Sequence, residues 1–278
     1  MTYLSYKDLF GLPIDFDYSS VKTINISFCE PKIKTLNNLN LYKFPNLEFL
    51  NCSYNDIRDI DCLSSCTSLK KLNCRNNYIS SLRCLCHCFL LTELDCSSNN
   101  IDNLDCLSNC TSLEILDFSE NKLSNLNSLS NCIFLKYLYC SDNQLSDLNF
   151  LSKSISLHKL VCDRNRINNL DGISNCIFLK KISCESNCII SFEPIMKLKK
   201  LNKINFSNNY VINYDFEKLF HHSTINDEFI NSFNDSIMKY ESIINTLICY
   251  KFKTFDEYHV WINNKIYHHF DLISFLFR

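Results

Sequence analysis

Glycine and proline are scarce in this sequence, and alanine is missing altogether. The 278 residues include two glycines, Gly11 and Gly172, and four prolines. So few glycines exclude a glycine-rich phosphate-binding loop. No stretch approaches the roughly 18 consecutive apolar residues of a membrane-spanning helix. The residues in excess are Asn, Ile, Lys, Tyr and Phe, whose codons are mostly A/T-rich. They indicate an A+T-rich genome, such as that of a protist, a large DNA virus or some bacteria.

A strong net charge and catalytic motifs are also lacking. The 28 basic and 30 acidic residues give a formal net charge of −2, which does not favour nucleic-acid or anionic-membrane binding. No nucleophile elbow, HExxH or paired-carboxylate motif is found. We therefore expect no enzyme activity, no cofactor and no metal. Residues 1–10 lack a basic stretch followed by an apolar run, so we expect no secretory signal and an intracellular, cytoplasmic location.

Two residue types recur every 22 positions, which is the main feature of the sequence. The leucine column comprises Leu47, Leu69, Leu91, Leu113, Leu135, Leu157, Leu179 and Leu201. The asparagine column comprises Asn55, Asn77, Asn99, Asn121, Asn143, Asn165, Asn187 and Asn209. Two independent columns with the same period indicate a chain built from stacked, equivalent units.

Each unit follows the pattern L-x-x-L-x-C-x-x-N-x-I-x-x-L-x-x-L-x-x-C-x-x. The third unit shows it with Leu91, Leu94, Cys96, Asn99, Ile101, Leu104, Leu107 and Cys110. This pattern resembles that of the leucine-rich-repeat family, L-x-x-L-x-L-x-x-N-x-L. The 22-residue length is most similar to the short class found in a nuclear regulator of protein phosphatase 1 and in the bacterial internalins. The resemblance covers residues 47–214, and a degenerate unit extends it back to about residue 21.

The resemblance implies an α/β solenoid shaped like a curved horseshoe. A parallel sheet would line the concave face, and short turns or 3₁₀ pieces would form the convex face. We predict an N-terminal cap segment over 1–20 and a solenoid of about eight regular repeats plus one degenerate repeat over 21–220. The asparagine side chains are predicted to bond backbone groups left unpaired at the turn after each strand.

Residues 221–278 depart from the repeat and are predicted to be a mainly helical capping appendage. Apolar residues at helical spacing predict an amphipathic helix over 226–250 that covers the end of the solenoid core. For residues 255–278 the sequence leaves a helix and a hairpin open. Five histidines lie in this appendage, and we interpret them as surface residues because no matching carboxylate or cysteine spacing accompanies them. They are His221, His222, His259, His268 and His269.

Most of the 18 cysteines fall in two repeat columns. The strand column comprises Cys52, Cys74, Cys96, Cys140, Cys162 and Cys184. A second column precedes the strands and comprises Cys66, Cys88, Cys110, Cys132 and Cys176. Phe118 and Phe206 replace cysteine in the strand column, which indicates an apolar core position. Zinc ligation is the weaker alternative, because spacing that only repeats the unit does not converge on one ion. So many thiols favour a reducing compartment.

The outward residues of the strands are the predicted partner-binding surface. They are Phe49, Lys71, Glu93, Asp95, Ile115, Asp117, Tyr137, Tyr139, Lys159, Val161, Asp163 and Lys181. We give the name concave patch to Ile115, Tyr137, Tyr139 and Val161, which are predicted to form an exposed apolar and aromatic cluster. Aromatic residues ringed by charge are typical of interaction sites, although tyrosine also favours strands in general.

A lysine cluster lies farther along the chain. It predicts attraction of an acidic partner or of phosphate groups, or simply a solvated face. It comprises Lys180, Lys181, Lys197, Lys199, Lys200 and Lys203.

These features predict a non-catalytic adaptor or interaction module that binds a protein partner on the concave repeat face. One alternative is a regulatory subunit of a phosphatase or of a ubiquitin-ligase-type enzyme; another is a structural component of a particle. We expect no nucleic acid and no membrane among the partners, and we expect a monomer. Repeat class alone does not determine function, so the partner stays unidentified at this stage.

Overall fold

A computed structural model describes residues 3–209 as one parallel sheet of ten strands, ordered as in the chain. The strands are β1 (Tyr3–Ser5), β2 (Thr23–Asn25), β3 (Phe49–Asn51), β4 (Lys71–Asn73), β5 (Glu93–Asp95), β6 (Ile115–Asp117), β7 (Tyr137–Tyr139), β8 (Lys159–Val161), β9 (Lys181–Ser183) and β10 (Lys203–Asn205). The solenoid with its parallel sheet is therefore confirmed. The helix predicted over 226–250, the alternatives over 255–278 and the histidine-rich appendage lie outside the described residues.

Each strand has three residues because the repeat supplies one inward side chain between two outward ones. In β4, for example, Leu72 is buried while Lys71 and Asn73 face outward. The inward residues of neighbouring strands are directly in register, as Leu72 is with Leu94 of β5. An apolar side chain at the same height in every coil thus forms a continuous core, which no single coil could form alone.

The chain returns between strands through short 3₁₀ segments, as the two- and three-residue apolar spacing predicted. They span Asp8–Phe10, Tyr18–Ser20, Asn37–Leu39, Leu41–Lys43, Asp61–Ser65, Arg83–His87, Asp105–Asn109, Asn127–Asn131, Asn149–Leu151, Asp171–Ile173 and Glu193–Ile195. Within residues 3–209, the structure contains no helix with the length and apolar character needed to cross a membrane.

The N-terminal segment contributes a strand that the repeat count of nine did not include. Tyr3–Ser5 pairs in parallel with Thr23–Asn25, and Leu4 is buried against the first coil. The segment predicted as a cap over 1–20 therefore also extends the sheet. Its repeat is hidden in the sequence because the pairing offset is 20 residues here, from Tyr3 to Thr23, and no asparagine of the column marks the turn.

The asparagine side chains bond backbone groups at the turn after each strand, as predicted, and they also join neighbouring coils. The Asn121 amide donates to the carbonyls of Cys96 in the preceding coil (3.1 Å) and of Phe118 in its own coil (3.0 Å). Its Oδ1 accepts from the Ile101 backbone N–H at 2.9 Å. Buried backbone groups must find partners, and one side chain here serves several of them.

The residue before each asparagine has a left-handed backbone, although none of these residues is glycine. The φ angles lie between 50° and 59° at all eight positions, which are Tyr54, Asn76, Ser98, Glu120, Asp142, Arg164, Ser186 and Asn208. Such conformations are uncommon for non-glycine residues and persist where surrounding structure determines them. The asparagine hydrogen bonds on either side of the turn supply that support.

Candidate interaction surface on the concave face

The predicted partner-binding residues lie on the outward side of the sheet or directly after a strand. Eleven of the twelve belong to strands β3 to β9, and Asp163 lies two residues after the end of β8. None of the twelve is buried. Successive side chains of a strand point to opposite faces of the sheet. The predicted residues share one face because each of them is next to a buried, inward residue. This placement makes them accessible, and their role in binding stays a prediction.

The structure brings the four residues of the concave patch together. Ile115 is in register with Tyr137 across β6 and β7, and Tyr139 is in register with Val161 across β7 and β8. Tyr137 is 39% exposed, and the other three are partly buried. The Lys159 Nζ lies 4.8 Å from the centroid of the Tyr139 ring, so a cation borders the aromatic surface.

A row of exposed apolar residues, which the sequence interpretation missed, adjoins the concave patch. We call it the edge row, since it lies in the turns that lead into the strands. It comprises Ile133, Phe134, Ile155, Ile177 and Phe178, with exposed fractions of 39%, 55%, 51%, 55% and 37%. The repeat itself could have revealed it, because these residues occupy the two positions before the leucine column, where other coils have Thr67 and Ser68 or Thr111 and Ser112.

His158 connects the concave patch to the edge row. Its ring centroid lies 6.3 Å from that of Tyr137 and 6.1 Å from that of Phe178, and it is nearly parallel to Phe178. The Lys200 Nζ lies 4.0 Å from the Phe178 centroid. Aromatic and apolar surface therefore runs from the sheet over the edge where the strands begin, across three adjacent coils. Contiguous exposed surface of this kind is typical of interaction sites.

The opposite edge of the sheet, where the strands end, is acidic. Burial raises the pKa of the Asp117 and Asp163 carboxyls, although both accept hydrogen bonds that oppose the shift. Asp163 accepts from the Ser183 hydroxyl and from the Glu185 backbone N–H, both at 2.7 Å. Asp142 is bound by Arg164 through two hydrogen bonds of 2.6 Å. The outward face is therefore apolar and aromatic at the edge where β6 to β9 begin and acidic at the edge where they end.

The remaining predicted residues lie away from the concave patch. Lys71 forms an ion pair with Glu93, with Nζ 2.7 Å from Oε2, and Phe49 is in register with Lys71. Phe49 is three strands from Ile115, or roughly 14 Å at the usual strand spacing. Asp95 is in register with Asp117. At the first outward position of each strand, the residue is therefore charged on β4 and β5, apolar or aromatic on β6 and β7, and lysine on β8 to β10.

The cysteine columns lie in the core. The six strand cysteines and the five of the second column are all buried, and burial raises the pKa of the Cys52, Cys88 and Cys176 thiols to about 12. The eleven cysteines of the two columns are free thiols. In residues 3–209 no group of three or more His, Cys, Asp and Glu side chains has a geometry suited to a metal ion. The cysteine columns therefore act there as small apolar side chains.

Comparison with known proteins points to the same architecture. A family model described as leucine-rich repeats, in two copies, matches residues 45–87. The chain has the leucine-rich-repeat fold. No curated protein matches the sequence.

Similar solved structures include two internalins and a leucine-rich-repeat protein, all from bacteria. Internalin InlF of Listeria monocytogenes is 22% identical with a TM-score of 0.59, over 70% of this chain and 63% of that one. A leucine-rich-repeat protein of Leptospira interrogans is 20% identical with a TM-score of 0.65, over 72% of this chain and 52% of that one. The functional domain of InlJ from Listeria monocytogenes, described as including a cysteine ladder, is 26% identical with a TM-score of 0.52, over 65% of this chain and 44% of that one. This chain spans less than two thirds of each of these structures.

Proposed function

We propose that this leucine-rich-repeat protein is a non-catalytic interaction module that binds a protein partner through the concave patch and the edge row. Leucine-rich-repeat proteins are commonly protein-interaction modules, which makes binding the expected activity. The observation that carries the proposal is the continuity of exposed aromatic and apolar surface from Tyr139 through Tyr137 and His158 to Phe178. Aromatic anchors bordered by charge are typical of the centres of protein interfaces.

The position of this surface also supports the proposal. It is held by strands whose inward side chains are fully buried, so its outward side chains stand on a rigid support. A preorganised surface loses less conformational entropy on binding than a mobile one. Tyr137 and Tyr139 each present a large ring with few rotatable bonds, which adds contact area at low entropic cost.

A site-specific cross-linking experiment tests the proposal. Benzoylphenylalanine is introduced in place of Tyr137 in one variant and in place of Tyr42, which is 65% exposed outside the concave patch, in a control variant. Both proteins are irradiated in a lysate of the source cells. We expect a discrete adduct from position 137 that is absent from position 42 and is competed by unmodified wild-type protein.

A pair of double variants then measures the contribution of the rings. Tyr137→Ser with Tyr139→Ser removes the two patch rings, and Tyr42→Ser with Tyr78→Ser removes two other exposed rings. The first double variant should bind the partner identified by cross-linking at least about tenfold more weakly than wild type, as expected for an interface hot spot, and the second should bind it as tightly as wild type. Equal retention by both variants, with both folded by circular dichroism, would contradict the proposal.

A further inference from the structure

Three lysines occupy the same position on three adjacent strands at one end of the sheet. Lys159 is in register with Lys181, and Lys181 is in register with Lys203. We call these residues the lysine column. Neighbouring parallel strands lie about 4.8 Å apart, so the three side chains start close together on the same face. Like charges directly opposite each other in a sheet are destabilising.

The same position is neutralised in another part of the sheet. Lys71 and Glu93 occupy it on β4 and β5 and form an ion pair of 2.7 Å. Among residues 3–209, Lys159 and Lys181 have no carboxylate within ion-pair distance. The Lys159 Nζ lies instead over the face of the Tyr139 ring, 4.8 Å from its centroid. Lys159 and Lys181 therefore present positive charge toward solvent, and a carboxylate from outside would relieve their repulsion.

More positive charge and apolar surface lie beside the lysine column. Lys180 precedes Lys181 and is exposed, and Lys200 lies over the Phe178 ring. The edge row ends three or four residues before the column in two coils, with Phe178 before Lys181 and Ile155 before Lys159. An occupant along this edge would meet apolar side chains and ammonium groups at once.

We propose that the lysine column and the edge row bind an acidic protein segment that carries aromatic or aliphatic residues; this inference rests on the proposed function and names the chemistry of the partner. From β6 to β9 the sheet spans three strand spacings, roughly 14 Å, which an extended peptide covers with about four residues. Its apolar end meets Ile115 and Tyr137 together with the edge row beside them, and its carboxylates meet Lys159 and Lys181.

A nucleic acid is the less suitable polyanion for this surface. Its phosphates are evenly spaced, and all of them would approach a sheet whose other edge carries Asp117, Asp163 and Glu185. A peptide can place carboxylates only over the lysine column and leave the acidic edge uncontacted.

Fluorescence anisotropy with defined probes tests the inference on the full chain. The acidic probe is a labelled peptide of two phenylalanines followed by alternating serine and glutamate, synthesised in both chain directions. The basic probe has lysine in place of glutamate, and a single-stranded oligothymidylate of equal charge is the third probe. We expect the acidic peptide to bind and its affinity to fall as salt rises, because exposed charges are screened.

Charge reversal gives the sharper test. Lys159→Glu with Lys181→Glu should weaken binding of the acidic peptide by about tenfold or more and should strengthen binding of the basic peptide. The matched control, Lys34→Glu with Lys122→Glu, changes the net charge equally at two exposed lysines outside the column and should leave both affinities unchanged. Circular dichroism confirms that all variants are folded.

Three outcomes would overturn the inference. The acidic peptide could fail to bind, it could bind equally well to the reversed and control variants, or the oligothymidylate could bind more tightly and be lost on reversal. If any of these occurs while binding of the cross-linked partner still requires Tyr137 and Tyr139, the proposed interaction module is supported and only the acidic character of its partner is wrong. If the peptide binds through the lysines while binding of the cross-linked partner does not require the two tyrosines, the lysine column binds acidic segments and the proposed centre of the interface is wrong.

Discussion

The Asn143 carboxamide oxygen accepts a hydrogen bond of 2.9 Å from the backbone N–H of Leu123, which lies 20 residues earlier in the preceding coil. The amide nitrogen of the same side chain donates to the Phe118 carbonyl of that coil at 3.0 Å. One buried side chain thus joins two coils at both its donor and its acceptor. Repeat proteins derive stability from such contacts between neighbours, and this column therefore links the solenoid along its length.

Replacing this asparagine should be costly. Asn143→Ala leaves the Leu123 N–H without a partner in the core and removes one of the two amide donors to the Phe118 carbonyl, which keeps its hydrogen bond from Asn121. A buried unpaired group costs about 1–3 kcal/mol, so we expect the free energy of unfolding to fall by about 1–3 kcal/mol in urea denaturation. The control Asn131→Ala, at an exposed position of a 3₁₀ segment, should change it by no more than about 0.5 kcal/mol. Similar losses for both variants would contradict a structural role of the column.

The two glycines give a second matched pair. A Cβ on Gly172 would lie 2.0 Å from the Leu148 carbonyl oxygen and 2.8 Å from the Asn149 nitrogen, which are backbone atoms that cannot rotate away. A Cβ on Gly11 would meet no atom within 4 Å. Gly172→Ala should therefore destabilise the protein by about 1–3 kcal/mol or more, and Gly11→Ala should stay within about 0.5 kcal/mol of wild type. Thermal melting of the two variants decides this, and equal melting temperatures would disprove the close approach.

Alkaline pH should destabilise the fold through its buried thiols. Burial raises the pKa of Cys52 from 9.0 to about 12, so the unfolded chain loses this proton before the folded chain does. The contribution of this thiol to the free energy of unfolding is fully present below pH 9 and is lost as pH rises toward 12. At about pH 10.5 one such thiol contributes a loss of about 2 kcal/mol.

Urea midpoints at about pH 8 and about pH 10.5 measure this effect. Tyrosine and lysine also titrate in this range, so the comparison is with Cys52→Val, in which an apolar residue of similar size replaces the thiol. The variant should lose less stability than wild type over the same interval. An identical loss in both proteins would show that the Cys52 thiol makes no contribution.

Thiol alkylation should follow burial. The thiolate is the reactive form of cysteine, and the strand column combines full burial with a raised pKa, as Cys52 and Cys96 show. Cys86 is only partly buried. Brief iodoacetamide treatment of the folded protein, read by peptide mass spectrometry, should modify Cys86 well before the strand column. Denaturation in urea should abolish the difference, and equal modification before denaturation would contradict the core assignment.

The repulsion in the lysine column predicts a stabilising substitution. Lys181→Glu places a carboxylate between Lys159 and Lys203, in the arrangement that Lys71 and Glu93 already adopt. We expect a gain of about 0.2–1 kcal/mol in the free energy of unfolding, which should shrink at high salt. Lys122→Glu changes the charge without a strand neighbour and should give no comparable gain. A loss of stability in Lys181→Glu would indicate that the lysines do not repel each other as the register implies.

The 22-residue period predicts the role of each residue within its own coil but only some of the contacts between coils. The inward role of Leu72, the hydrogen bonding of Asn121 and the burial of Cys96 follow from the column that each residue occupies, and the structure confirms them. The edge row was missed because its residues were treated as part of the convex turn. The contact of His158 with both Tyr137 and Phe178 joins three coils at three different repeat positions, and no single column reveals it.

By itself, the sequence determined the solenoid, its strands, its core and its outward residues, because a strict 22-residue period repeats the same local environment in every coil. The tertiary structure decided which outward residues adjoin each other across coils. It added β1 to the sheet without the repeat pattern, since Leu4 is buried beside the first coil. It also set Lys159, Lys181 and Lys203 in one register beside an aromatic edge. Such neighbours depend on the stacking and register of the coils, which bring residues 22 positions apart within a few ångströms.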